Sequence, residues 1–137
     1  MFPAITSLIP HRPPQLYLHR ILEHQTDRIV TEGDFSADDF AGHFPGRPLV
    51  PGVVMLEGLA QSLACLAALG GHAGQPVLTG VEKARFRGMA TPPLTLRFEV
   101  TLREQRFGVT WAVGRVLAGE RLLCTASLQA AMLPETP

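Results

Sequence analysis

The sequence predicts an α+β fold in which one long central helix is wrapped by a curved antiparallel β-sheet. Two observations carry this. Residues 53–69 are apolar on almost every side of a helical projection, and such a helix must be enclosed by other structure. From residue 77 onward the chain divides into strand-length runs at hairpin spacing, the pattern of an antiparallel meander. One buried helix against one such sheet is an α+β architecture. A length of 137 residues fits a single domain, 1–137, with a sizeable core.

The elements follow in order. Residues 4–9 read as a short helical turn ended by Pro10. Residues 15–23 alternate in the strand manner, and residues 28–35 read as a second strand. Ser36 is placed to cap a turn of helix through Phe40. The main helix spans 53–69, with Gly52 at its start and Gly70-Gly71 as its stop. A short Gly-rich loop, 71–76, leads into the sheet. In 94–103, Leu94, Leu96, Phe98, Val100 and Leu102 face one way and Thr95, Arg97, Glu99, Thr101 and Arg103 the other. Residues 107–117 and 121–133 continue as strands joined by a turn at Ala118-Gly119-Glu120.

Charge narrows the function classes. Twelve basic residues balance twelve acidic ones, which argues against a nucleic-acid binder and gives no sign of attraction to a membrane surface. Cys65 and Cys124 sit in apolar contexts at no metal-ligand spacing and read as buried thiols in a reducing compartment. His11, His19, His24 and His72 show no metal spacing either. The N-terminus lacks the pattern of a signal peptide, and the apolar stretch 53–69 is interrupted by Glu57 and Gln61. The expectation is a soluble cytoplasmic protein with no membrane span.

The chemistry concentrates in one run, His43-Phe44-Pro45-Gly46-Arg47-Pro48-Leu49-Val50-Pro51-Gly52, which leads into Val53-Val54-Met55-Leu56-Glu57-Gly58-Leu59-Ala60-Gln61. A loop stiffened by three prolines carries a histidine into a helix whose single carboxyl is Glu57. A carboxyl in an apolar helix is costly to bury and usually has a task or a partner. Such a carboxyl tends to hold its proton and so serve as an acid, whereas a histidine can take a proton near neutral pH. The first N–H groups of the helix, on Gly52 and Val53, offer partial positive charge to a polarised carbonyl. Gln61 lies one turn past Glu57, at i+4, on the same face. Lys83, Arg85 and Arg87 alternate with Ala84 and Phe86, which would project all three basic side chains from one strand face.

The run resembles the active-site motif of the FabZ-type 3-hydroxyacyl–acyl carrier protein dehydratases, which have the hotdog fold. Leu8-Ile9-Pro10-His11-Arg12-Pro13-Pro14 resembles their N-terminal motif, and Thr79-Gly80-Val81-Glu82-Lys83-Ala84-Arg85-Phe86-Arg87 the strand after their central helix. The resemblance covers nearly the whole chain. It implies removal of water from a 3-hydroxyacyl thioester to give the trans-2-enoyl product. His43 would be the base, Glu57 the acid or water-orienting group, and Gly52 the polarising amide. Phe44, Pro51, Val53 and Gln61 would line the substrate, with Gln61 holding Glu57. No metal or organic cofactor is implied, since the substrate arrives on the phosphopantetheine arm of acyl carrier protein. Lys83, Arg85 and Arg87 would either dock that acidic partner or form an ordinary solvated strand face. The assembly implied is a homodimer, a trimer of dimers or a heterodimer with another hotdog subunit, with the histidine and glutamate of one site on different chains.

Three positions depart from the pattern. Gln15 replaces a usual apolar residue, His19 a common aspartate and Val77 a frequent tyrosine. These bear on the acyl pocket and keep open specialised aryl-polyene or polyketide routes beside ordinary fatty-acid synthesis. Two other readings compete on the same fold: an acyl-thioester hydrolase, and a non-catalytic acyl-binding partner subunit.

Overall fold

Six antiparallel strands form one sheet in the order β1-β2-β4-β5-β6-β3. The computed structural model describes residues 1–72 and 74–133; Ala73, within the expected 71–76 loop, and residues 134–137 of the expected domain lie outside the described residues. The strands are β1 (Arg20–Gln25), β2 (Arg28–Phe35), β3 (Gln75–Phe86), β4 (Leu94–Arg106), β5 (Val109–Ala118) and β6 (Arg121–Leu133). A single long helix, α1 (Gly52–Leu69), packs against β2 through β6, which is the hotdog arrangement that the sequence predicted. Short 3-10 turns occupy Ile5–Ser7 and Ala37–Phe40, the second with Ser36 as its cap.

The packing explains why the chain folds this way. Leu96, Phe98 and Val100 of β4 are fully buried beneath α1, while their alternate neighbours face outward. Gly58 is the contact point: a Cβ there would stand 2.2 Å from the Phe98 ring, so only glycine lets helix and sheet approach this closely. Ser62 donates to the Gly58 carbonyl at 2.8 Å and therefore accepts from Thr31 of β2, also at 2.8 Å, so the buried hydroxyls are satisfied. Cys65 and Cys124 are free and buried, and desolvation pushes their thiols up to about 12 and about 11.

Four expectations change. The chain at 15–19 is not strand; β1 starts at Arg20 because Tyr17 is used to bind a helix side chain. Phe107 is not in a strand but in the β4–β5 turn, with φ of 56°, followed by Gly108 at 74°. β3 begins at Gln75, two residues early, and carries a bulge between Glu82 and Arg85, with Lys83 at φ 54°. That bulge breaks the alternation on which Lys83, Arg85 and Arg87 were assigned to one face. Finally, α1 is not enclosed on every side. By length and composition it could cross a membrane, yet 56% of it is buried in the fold. Its uncovered face includes Val53, which is 70% exposed, with Leu56, Glu57 and Ala60 only partly covered.

Candidate active site

The His43 loop is held almost wholly by backbone. His43 N–H donates to Phe40 at 2.9 Å, and Leu49 N–H donates back to His43 at 2.7 Å. Phe44 and Arg47 exchange N–H···O bonds at 2.9 and 2.8 Å across a tight turn, where Gly46 sits at φ 73°. Val50 N–H ties the loop to Ala90 at 2.8 Å. The imidazole Nδ1 lies 3.0 Å from the Leu49 carbonyl. A carbonyl only accepts, so Nδ1 carries the hydrogen and Nε2 keeps its lone pair.

His43 borders an open, mostly apolar cleft of about 420 Å³, with Pro51, Gly52, Val53, Phe86 and Met89 among its walls. Gly52 and Val53 are the first two residues of α1, so their N–H groups have no intrahelical partner, and Val54 is the first to donate, to Pro51 at 3.0 Å. A Cβ at Gly52 would meet the Phe86 ring at 2.7 Å. Phe44 stacks on the His43 ring with centroids 4.1 Å apart and is itself half exposed. The cleft thus offers a hydrogen acceptor, two N–H donors without a partner among the described residues, and apolar walls.

Glu57 lies in a different cleft, of about 400 Å³, with Pro10, His11, Ala60, Gln61 and the Pro76–Leu78 end of β3. Its Oε2 accepts from Gln61 Nε2 at 2.9 Å. Gln61 is 1% exposed and fully used: Nε2 also donates to the Gln15 carbonyl at 2.8 Å, and Oε1 accepts from Tyr17 N–H at 3.0 Å. Turning the amide over would set its NH₂ against the Tyr17 N–H, so the donor must face Glu57. Glu57 lines the open cleft, and its Oε1 makes no hydrogen bond to protein among the described residues. The carboxylate side chain is 42% exposed, not buried as the apolar helix suggested, because the face of α1 that bears it is uncovered.

The geometry therefore brings Glu57 together with Gln61, and His43 with Gly52, Val53 and Pro51. It does not bring His43 and Glu57 to one cleft within a subunit. The His43 cleft takes Phe86 from one end of β3 and Gly52, Val53 and Met55 from α1, whereas the Glu57 cleft takes Pro76, Val77 and Leu78 from the other end of β3 and Glu57, Ala60 and Gln61 from the next turn of α1. Lys83, Arg85 and Arg87 are all exposed near the His43 end of β3, with Arg87 past the strand and its N–H bonded to Leu123 at 2.7 Å. Among the described residues no three His, Cys, Asp or Glu side chains gather as a metal-ligand set. Sequence reasoning missed two contributors here. One is the Gln15–Tyr17 backbone that grips Gln61; the other is His11, whose Nε2 is 3.8 Å from Glu57 Oε2. Both lie more than forty positions from the groups they meet, and no local spacing signals such a contact.

Comparison with known proteins adds a family context. Residues 9–127 match the family model of the FabA-like domain. A 3-hydroxyacyl-[acyl-carrier-protein] dehydratase FabZ of Chloroflexus aggregans is 43% identical over 137 residues, covering 96% of this chain and 95% of that protein. The protein of the same description from Alkaliphilus metalliredigens is 37% identical, covering 94% of this chain and 91% of its own. Among solved structures, the dehydratase heterocomplex ApeI:P from Xenorhabdus doucetiae superposes with a TM-score of 0.86 at 17% identity, covering 98% of this chain and 94% of that one. A hypothetical thioesterase with coenzyme A from Streptococcus pneumoniae superposes with a TM-score of 0.67 at 10% identity, covering 86% and 88%. At such identities the structural likeness speaks for the fold alone.

Proposed function

The chain belongs to the FabA-like family, and from that premise we propose that it removes water from 3-hydroxyacyl thioesters carried on acyl carrier protein, yielding the trans-2-enoyl thioester in fatty-acid or related synthesis. The observation that carries the reading is the His43 cleft, where a free Nε2 stands beside the unpaired N–H groups at the start of α1. His43 Nε2 takes the C2 proton while the Gly52 N–H receives the charge that develops on the thioester oxygen. Glu57 gives the proton on Oε1 to the C3 hydroxyl, the C3–O bond breaks, and water leaves. Afterwards His43 returns its proton and Glu57 regains one through solvent. Both proton transfers and the carbonyl polarisation come from protein groups, so the step calls for no metal or organic cofactor. The apolar walls at Val53, Pro51 and Phe86 suit an acyl chain, and Phe44 buttresses the His43 ring.

A complete site then needs two chains. β3 is an edge strand bonded only to β6. Antiparallel pairing of β3 with β3 of a second copy would lay the Leu78 end of one beside the Phe86 end of the other. That brings the Glu57 cleft of one protomer against the His43 cleft of its partner and covers the bare face of α1. The basic side chains Lys83, Arg85 and Arg87 near the His43 end suit an acidic carrier protein, although the bulge spreads them. A soluble cytoplasmic enzyme is consistent with the burial of α1.

Mass spectrometry of a panel of 3-hydroxyacyl carrier proteins, before and after incubation, tests the reading. Loss of one water from the acyl group supports it. Release of a free thiol instead would identify a hydrolase, and binding without change an acyl-binding subunit.

A further inference from the structure

His11 is the one titratable group at the Glu57 cleft to which the reaction above gives no task. Its loop is built with unusual care. Ile5 and Ile9 are both 3% exposed and anchor it to the core, with Ile9 N–H bonded to Ile5 at 3.1 Å. The Arg12 guanidinium donates to the carbonyls of Thr6 at 3.0 Å, Ile9 at 2.9 Å and His11 at 2.6 Å. An arginine that spends its donors on its own loop fixes a backbone, and the side chain so fixed at the cleft is His11.

The ring has a definite orientation. Nε2 points to Glu57 Oε2 at 3.8 Å, and Nδ1 is buried with no hydrogen-bond partner among the described residues. A hydrogen on Nδ1 would be a buried donor without an acceptor, which costs about 1–3 kcal/mol. The hydrogen therefore belongs on Nε2, directed at the carboxyl. The present gap exceeds a hydrogen bond, and a swing of about 1 Å closes it.

We propose that His11 is a positioning residue for Glu57: together with Gln61 it holds Oε2 and so leaves Oε1 to meet the substrate. This rests on the dehydratase reading. The last torsion of a glutamate is soft, and one donor leaves it free to swing. A second donor from another direction, on a separate rigid loop, removes that freedom.

The test compares kcat and KM for dehydration of a 3-hydroxyacyl carrier protein by wild type, His11→Phe and His11→Gln, each change also made in Glu57→Gln. His11→Phe keeps a ring and removes the donor; kcat should fall about 10- to 100-fold with KM within about 2-fold. His11→Gln restores an N–H donor and should stay within about 5-fold of wild type. In Glu57→Gln, where no acid remains to be oriented, His11→Phe should cost nothing further. Thermal melts monitor folding; if His11→Phe melts early, His11→Leu takes its place against His11→Gln. Wild-type kcat in His11→Phe, an equal loss in His11→Gln, or an undiminished effect in Glu57→Gln would each overturn the positioning role while leaving the dehydratase reading intact. Absence of water loss by wild type would overturn both.

Discussion

The two clefts at the ends of β3 hold their reactive groups by opposite means. His43 is fixed by main chain: its own N–H and C=O, the Phe44–Arg47 turn and the Leu49 carbonyl on Nδ1. Glu57 is held by a side chain, a buried amide that makes one hydrogen bond to it and two to a separate segment of chain. The placing of His43 thus depends on loop conformation. Glu57 depends on Gln61 and on the segment that Gln61 grips. Neither cleft contains the other's group; under the proposed shared site, each subunit would carry two half-sites.

The largest effects test that division directly. His43→Ala and Glu57→Gln should each lower kcat by about 10²- to 10⁴-fold without unfolding the chain. Mixing the two inactive variants should restore one working site in each mixed dimer, because the intact His43 of one chain then meets the intact Glu57 of the other. A mixture that stays inactive after verified subunit exchange, or a fully active monomer by light scattering, would break the shared-site geometry.

Next comes Gln61. Gln61→Leu should keep the bulk and strand the Tyr17 N–H and Gln15 carbonyl, at about 1–3 kcal/mol per unpaired buried group. Urea midpoints and kcat should fall together. The matching change on the other side is Gly46→Ala, which forces a side chain into φ 73° and should cost about 1–2 kcal/mol locally. Its signature is loss of kcat with the Glu57 network untouched. If Gln61→Leu left kcat unchanged, the side-chain account of the acid would be wrong.

Much of this was legible in the sequence, and the misses share a cause. β2 and β6 were read to the residue, since alternation under one buried face leaves little freedom. The helix missed by one residue at Gly52. The errors lie where tertiary contact overrides local pattern. Residues 15–19 alternate like a strand, yet Tyr17 N–H serves Gln61 and the Tyr17 carbonyl crowds Gly33, where a Cβ would stand 2.0 Å away. Phe107 looks like strand but occupies a left-handed turn position. The Lys83 bulge turns three basic residues from a single face into a spread group. A helix apolar on every side signalled enclosure, which the fold supplies on only part of the helix, leaving Val53 70% exposed.

A smaller effect is expected where the two clefts share α1. Gly52→Ala would push a Cβ to 2.7 Å from the Phe86 ring. Phe86 is 52% exposed at the end of β3 and can turn aside, so stability should change by less than about 1 kcal/mol. The ring would then leave the wall of the His43 cleft, raising KM. Restoration of KM by nothing but Phe86→Ala in the same chain would place the effect on the ring; a kcat loss with unchanged KM would place it on the amide instead.

The smallest expected effect separates the two scaffolds by acid. The segment that grips Gln61 runs on to His19, whose Nδ1 accepts from Asp34 N–H at 2.7 Å. Hydrogen bonds from Arg20, at 3.0 and 2.8 Å, and then from Thr95, at 2.7 Å, hold the Asp34 carboxyl down to about 2 from its ordinary 3.8. A lowered folded-state value means that the carboxylate stabilises the fold fully above pH 3.8 and loses that contribution as pH falls through about 2. The group is more than half exposed, so solvent screening keeps the contribution modest. Denaturant midpoints for wild type should decline between those two pH values more steeply than for Asp34→Asn, which carries no such carboxyl. The loosening should be felt first at Tyr17 and Gln61, behind Glu57, with the main-chain bonds of the His43 loop retained. Amide exchange at low pH would show this as faster exchange of Tyr17 N–H than of Leu49 N–H. Equal acid slopes in the two proteins, or earlier exchange in the His43 loop, would mean that the acid-side scaffold does not depend on this ionic staple.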